Sequence, residues 1–135
     1  KLSNSELEKI SKDIGADCPF FIENKTKYVT GIGDKMKKIN IDLSNYTIKL
    51  THSNVNISTA NAFSNIKANQ QNIVTENLSE QSIESWKNNV KNDFENNVFE
   101  IYPQLKIEKE KFYSEGAIYS SMTGTGSTIY GIFKK

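Results

Sequence analysis

Arginine is missing from the sequence, so all 17 basic positions are lysine, set against 16 acidic residues for a net charge of +1. Nucleic-acid readers carry a basic excess with arginine among their base and phosphate contacts. That class of partner is excluded, and any phosphate bound here must meet lysine or backbone N–H groups. Cysteine and histidine occur once each, as Cys18 and His52. One cysteine makes no intrachain disulfide, which points to a reducing cytoplasm. One Cys and one His do not make a typical structural zinc site, and no metal-ligating residue is assigned. Cys18, directly before Pro19, reads as a small packing residue. Long apolar runs are lacking too: none approaches the roughly 18 residues of a membrane span. With a mean hydropathy of −0.57, membrane insertion and secretion are not expected. There is no initiator methionine and no start-like region, so the chain is expected to begin inside a fold or to be cut from a longer one.

What is present centres on Met122-Thr123-Gly124-Thr125-Gly126-Ser127-Thr128, lying between two segments that read as strands. Two glycines flanked by hydroxyl residues free the backbone to turn N–H groups toward an anion. The same pattern also suits a plain hairpin turn, and both readings stand on this stretch alone. A length of 135 residues fits one domain, or a piece of a larger one, with a buried core.

Upstream, Ser3 or Asn4 can cap a helix over the first 14 residues, with Glu6 placed for a capping box and Leu7, Ile10 and Ile14 at helical spacing. In Gly15-Ala16-Asp17-Cys18-Pro19-Phe20-Phe21, a carboxylate set against proline and aromatic residues is expected to be partly desolvated, as a general base or cation-pairing group would be. Asp17 also reads as a simple turn cap. Residues 27–30 and 36–39 make a hairpin around Gly31-Ile32-Gly33-Asp34.

Tyr46, Ile48 and Leu50 alternate as in a half-buried strand. This strand runs through His52 into a helix capped by Ser58 or Thr59 and carrying Phe63, which places these four residues near a sheet edge. His52 reads equally as a solvated loop residue. Residues 65–80 read as an exposed loop. Trp86 should anchor a helix in the core, and Phe94, Val98 and Ile101 should share one face of the next. Pro103 opens a further helix, with Leu105, Ile107, Phe112 and Tyr113 as its apolar residues and Gly116 at its end. Lys106 to Lys111, alternating Lys with Glu, reads as a solvated face. The pattern is α+β: an antiparallel sheet with helices on one face.

The order of these segments resembles the GHMP small-molecule kinase superfamily. The segments are Gly-Ala-Asp-x-Pro-Phe-Phe, Gly-x-Gly-Asp, Val-x-x-Ser-Thr-Ala-x-Ala-Phe, Asn-Asp-Phe-Glu-x-x-Val-Phe, Tyr-Pro and Ser-Met-Thr-Gly-Thr-Gly-Ser. The resemblance implies a C-terminal, ferredoxin-like GHMP domain over 43–135, preceded by the tail of the N-terminal domain over 1–42. It implies ATP-dependent phosphorylation of the 2-hydroxyl of a cytidine-diphosphate-linked methylerythritol, with ATP and Mg2+ as cofactors. Asp17 then matches the catalytic aspartate, and Phe63 the aromatic that stacks on cytosine. Ser58, Thr59 and His52 line the same wall, and Gly124, Thr125, Gly126 and Ser127 match the third family motif beside the phosphates. The family's upstream lysine and ATP-wrapping glycine loop are absent here. The chain alone is therefore expected to be inactive, with the missing N-terminal part as its partner. Two other readings remain: a GHMP kinase for mevalonate, homoserine or a sugar, and a non-catalytic ligand-binding α+β module.

Overall fold

Ser3 opens the first helix by a reciprocal cap: its hydroxyl accepts from the Glu6 amide, while the Glu6 carboxylate accepts from the Ser3 amide at 2.8 Å. This capping box was legible in the sequence, and it satisfies N–H groups that a helix start leaves without partners. The computed structural model describes residues 1–51, 53–64, 66 and 76–135. These fall into two compact units, Lys1–Ile41 and Asp42–Lys135.

In the first unit, α1 (Asn4–Ser11) packs on α2 (Cys18–Glu23), and β1 (Lys27–Thr30) pairs antiparallel with β2 (Lys35–Lys38) as the expected hairpin. A charge cluster ties helices to hairpin. The largely buried Lys27 ammonium lies 3.5 Å from Glu8 and 3.4 Å from Glu23, and Lys38 lies 2.6 Å from Glu23. The hydrogen bond from Lys38 holds the Glu23 carboxyl below its ordinary range.

The second unit is built on a sheet ordered β3-β5-β4, all antiparallel, from β3 (Tyr46–Thr51), β4 (Tyr119–Met122) and β5 (Ile129–Lys134). The helices are α3 (Thr59–Ser64), α4 (Trp86–Asn89), α5 (Phe94–Ile101) and α6 (Pro103–Ser114), with short 3-10 turns at Glu76–Glu80 and Ile83–Ser85. Pro103 sits in the first turn of α6, where its missing N–H costs nothing. Phe112 of α6 lies edge-on to Phe133 of β5, with ring centroids 5.9 Å apart. Around this pair Val98, Leu105, Ala117, Met122 and Ile129 form the core. Trp86, buried as expected, packs at 5.7 Å on Tyr119.

Three expectations about helix faces are corrected. Leu105 and Phe112 are seven residues apart and share the inner face of α6, whereas Ile107 stands about 200° round from Leu105 and is 65% exposed. Ile101, at the last position of α5, is exposed as well. Lys109 follows Leu105 by four and so turns inward, where it pairs with Glu95 rather than joining a solvated face. The strand over 46–51 forms, but Ile48 and Leu50 are 50% and 57% exposed. β3 is an edge strand of the sheet, and this face of it is only partly covered. His52 and most of the expected loop at 65–80 lie outside the described residues.

The Leu105 side chain, with no exposed surface, predicts that Leu105→Ala destabilises the second unit by about 3 kcal/mol. Ile107→Ala should cost less than about 1 kcal/mol. Equilibrium urea unfolding compares the two, and equal losses would contradict this assignment of faces.

Candidate functional site

The glycine loop joins β4 to β5 and is closed within itself by two backbone bonds, Thr123 N–H to the Thr128 carbonyl and Gly126 N–H to the Thr123 carbonyl, both 2.9 Å. It is then fastened to two other parts of the second unit. The Ser127 hydroxyl donates to the Val55 carbonyl at 2.6 Å, which ties the loop to the segment leading into α3. From the other side, the Asn92 side-chain amide donates to the carbonyls of Met122 and Gly124, each at 2.8 Å.

Beneath the loop lies a carboxylate that the sequence reading missed. Glu95 is buried, and its Oε1 accepts the Met122 N–H at 2.8 Å and the Ser121 hydroxyl at 2.9 Å. Its Oε2 accepts from the Lys109 ammonium at 2.5 Å. The pair lines a cavity of about 240 Å³ together with Lys87, Lys91, Asn92 and Tyr113. Breaking such a buried pair from one side costs about 3–5 kcal/mol, because the other charge is left uncompensated. The signal was present in the sequence: Glu95 and Val98 fall three apart on one face of α5, so a carboxylate beside a core valine had to find partners inside. Two residues before Met122, Ser120 exchanges backbone bonds with the Tyr113 hydroxyl, donating its N–H at 3.1 Å and accepting at its carbonyl at 3.2 Å. Burial pushes the Tyr113, Tyr119 and Tyr130 phenols up from their ordinary value, so all three are neutral at physiological pH.

The residues singled out from the sequence are distributed as follows. Ser58 and Thr59 are exposed at the start of α3, just after the Val55–Ile57 stretch that meets the glycine loop. Phe63 is 61% exposed, and its ring stands edge-on to Phe94 with centroids 5.0 Å apart. Phe94 in turn packs on the core and begins α5, whose Glu95, with Asn92 just ahead of the helix, holds the loop. Phe63, Ser58, Thr59 and the loop Gly124-Thr125-Gly126-Ser127 are thus linked through Phe94, Asn92 and Val55 into one part of the second unit. That part can offer an aromatic ring, hydroxyls and a glycine-containing loop to a ligand with a base and phosphates.

Asp17 belongs to the first unit. It precedes α2 yet makes no side-chain capping bond, and it is exposed rather than lodged among Pro19 and the aromatic residues. This corrects the expected desolvation: Pro19 is buried and Phe20 half-buried, but neighbours in sequence at a helix start point to different sides. Its Oδ1 approaches Gly33, where an added Cβ would lie 3.2 Å away. Among the described residues no three His, Cys, Asp or Glu side chains gather to hold a metal ion.

Comparison with known proteins gives a consistent result. Residues 74–135 match the family described as GHMP kinases C terminal. A 4-diphosphocytidyl-2-C-methyl-D-erythritol kinase of Azobacteroides pseudotrichonymphae genomovar. CFP2 is 42% identical over 99% of this chain and 51% of its own length. One of the same name from Cytophaga hutchinsonii is 39% identical over 98% of the chain and 50% of its length. The chain thus spans about half the length of the curated relatives it matches. A crystal structure of 4-(cytidine 5'-diphospho)-2C-methyl-D-erythritol kinase aligns with a TM-score of 0.76 at 19% identity, covering 93% of this chain and 47% of that one. At that identity the likeness is one of fold.

An added Cβ on Gly126, at φ +97°, would meet Ile57 Cδ1 at 2.7 Å and Met122 Sδ at 2.8 Å, whereas at Gly124, φ +49°, it would meet nothing. Gly126→Ala is therefore expected to cost about 1–3 kcal/mol, and Gly124→Ala about 1 kcal/mol from backbone strain alone. Thermal unfolding of the two variants checks the order, and a greater loss at Gly124 would contradict the loop packing described here.

Proposed function

We propose that this chain, whose residues 74–135 match the family described as GHMP kinases C terminal, is part of an ATP-dependent kinase acting on the 2-hydroxyl of 4-diphosphocytidyl-2-C-methyl-D-erythritol. The observation that carries this reading is the shared placement, in the second unit, of the exposed Phe63 ring and the glycine loop, linked through Phe94 and Val55. A cytidine diphosphate needs such a pair: a flat apolar surface for the base and N–H or hydroxyl donors for the phosphates.

In this reading Phe63 stacks on cytosine, Ser58, Thr59 and His52 complete that wall, and Gly124-Thr125-Gly126-Ser127 lies beside the phosphates. Asp17 accepts or orients the proton of the attacking hydroxyl. Phosphoryl transfer depends mainly on positioning and on neutralising the moving charge, so the work asked of Asp17 is set by where it stands. In this reading Mg2+ would be held largely by phosphate oxygens with one or two carboxylates. The reading assigns the ATP-wrapping loop and the upstream lysine to the part of the relatives that this chain does not span. It takes 1–42 as the tail of the N-terminal domain and 43–135 as the C-terminal domain. It also assigns the work to the cytoplasm, and this chain alone would not turn over.

The test is steady-state kinetics on the full gene product. Asp17→Ala should lower kcat by about 10²–10⁴-fold, and a loss under about threefold would remove Asp17 from the role given to it. Phe63→Ala should raise KM for the cytidine substrate about tenfold, the value of one lost stacking contact. Cytidine diphosphate should compete with that substrate; failure to compete would favour a GHMP kinase for another alcohol, and no turnover at all a binding module.

A further inference from the structure

One motif remains unused by the proposed reaction, the Asn-Asp-Phe-Glu stretch at the start of α5. We propose that its Asn92 and Glu95 are positioning residues that hold the glycine loop in working geometry. The inference rests on the reading of that loop as a wall of the phosphate site. Neither side chain is assigned to the reacting groups; both act through the loop.

Asn92 lies two residues before α5 and Glu95 in its first turn, and the two side chains grip neighbouring backbone groups of β4 and the loop. Asn92 donates to the Met122 and Gly124 carbonyls, and Glu95 accepts the Met122 N–H between them. Met122 is thus held at both its donor and its acceptor, directly before the loop begins. Lys109 of α6 binds the other Glu95 oxygen and fixes the carboxylate's orientation. Asn92 also plays a second, separable role, in which its Oδ1 accepts the Phe94 N–H at 3.0 Å and so helps start α5. A contact that only supported the helix would stop there. The two bonds to β4 and the loop add nothing to the helix and bear directly on where Thr123 to Ser127 stand.

These separable roles define the experiment, carried out on the full gene product. Asn92→Asp keeps the oxygen that caps α5 and loses the amide that holds the loop. Glu95→Gln keeps an oxygen for the Met122 N–H, and Glu95→Ala does not; both leave Lys109 without its counter-charge, so their difference reports on the bond to the loop. Asn92→Asp and Glu95→Ala are expected to lower kcat tenfold or more, as misplacement of a supporting wall does, with KM for the cytidine substrate within about threefold. Glu95→Gln should restore most of the kcat lost in Glu95→Ala. If Asn92→Asp and Glu95→Ala keep kcat within about twofold, or if Gln is as impaired as Ala, the residues are merely structural and the proposal fails. A second readout does not depend on activity. In Asn92→Asp the Gly124 and Gly126 amide NMR resonances should move while those of β3 stay in place, and unmoved loop resonances would overturn the proposal. If the unaltered protein shows no turnover while the loop resonances still move, it is the assigned reaction that fails and not the clamp.

Discussion

The Glu95 carboxylate reaches the outer edge of β4, where among the described residues the Met122 amide has no neighbouring strand to donate to. Any strand at the border of a sheet carries backbone groups in this position, and inside a protein they must be satisfied. In this chain side chains do it. The Tyr113 hydroxyl serves Ser120, Glu95 serves Met122 N–H, and Asn92 serves the Met122 carbonyl. Once that edge is to be closed by helices α5 and α6, the polar residues on their inner faces follow. Glu95 must be buried to reach the strand, Lys109 must be drawn in to balance it, and Tyr113 must keep its proton.

The glycine loop inherits its position from this arrangement. It leaves β4 at a residue held from both sides, is tied at Ser127 to the segment before α3, and re-enters the sheet at Ile129. A loop so fastened is a surface element on a rigid support, the usual way of presenting groups to a ligand. Phe94 links the exposed Phe63 ring to the same helix, so α5 relates the aromatic surface to the loop. The proposed cytidine-diphosphate site needs such a relation, since the base and the phosphates sit at fixed separation in one ligand.

Much of the fold was legible because local chemistry decides it. Ser3 with Glu6, Pro103 at the head of α6 and the glycine turn between β1 and β2 each satisfy or permit a specific backbone geometry, and each stands where the pattern places it. What was not legible depended on which of two faces is covered. Alternation in Tyr46-Thr47-Ile48-Lys49-Leu50 establishes a strand but not that it lies at an edge, so Ile48 and Leu50 stand exposed. The Lys/Glu alternation of 106–111 hid Lys109, although counting from Leu105 places it inward. At Asp17, proximity in sequence to Pro19 and Phe20 stood in for proximity in space, and the carboxylate is at the surface. The candidate site was readable as a set of hydroxyls, an aromatic and two glycines. Of the groups that hold its loop, the Glu95 carboxylate was readable only from its spacing to Val98 on α5, and the Asn92 amide, ahead of that helix, was not readable from periodicity.

The central claim, that Glu95 of α5 and Asn92 just ahead of it hold the glycine loop at the edge of β4, is tested most directly by hydrogen exchange at the Met122 amide in the unaltered chain. Bonded to Glu95 at 2.8 Å, that amide should exchange as slowly as those of the central strand β5. Exchange at the rate of an exposed loop amide would contradict the account.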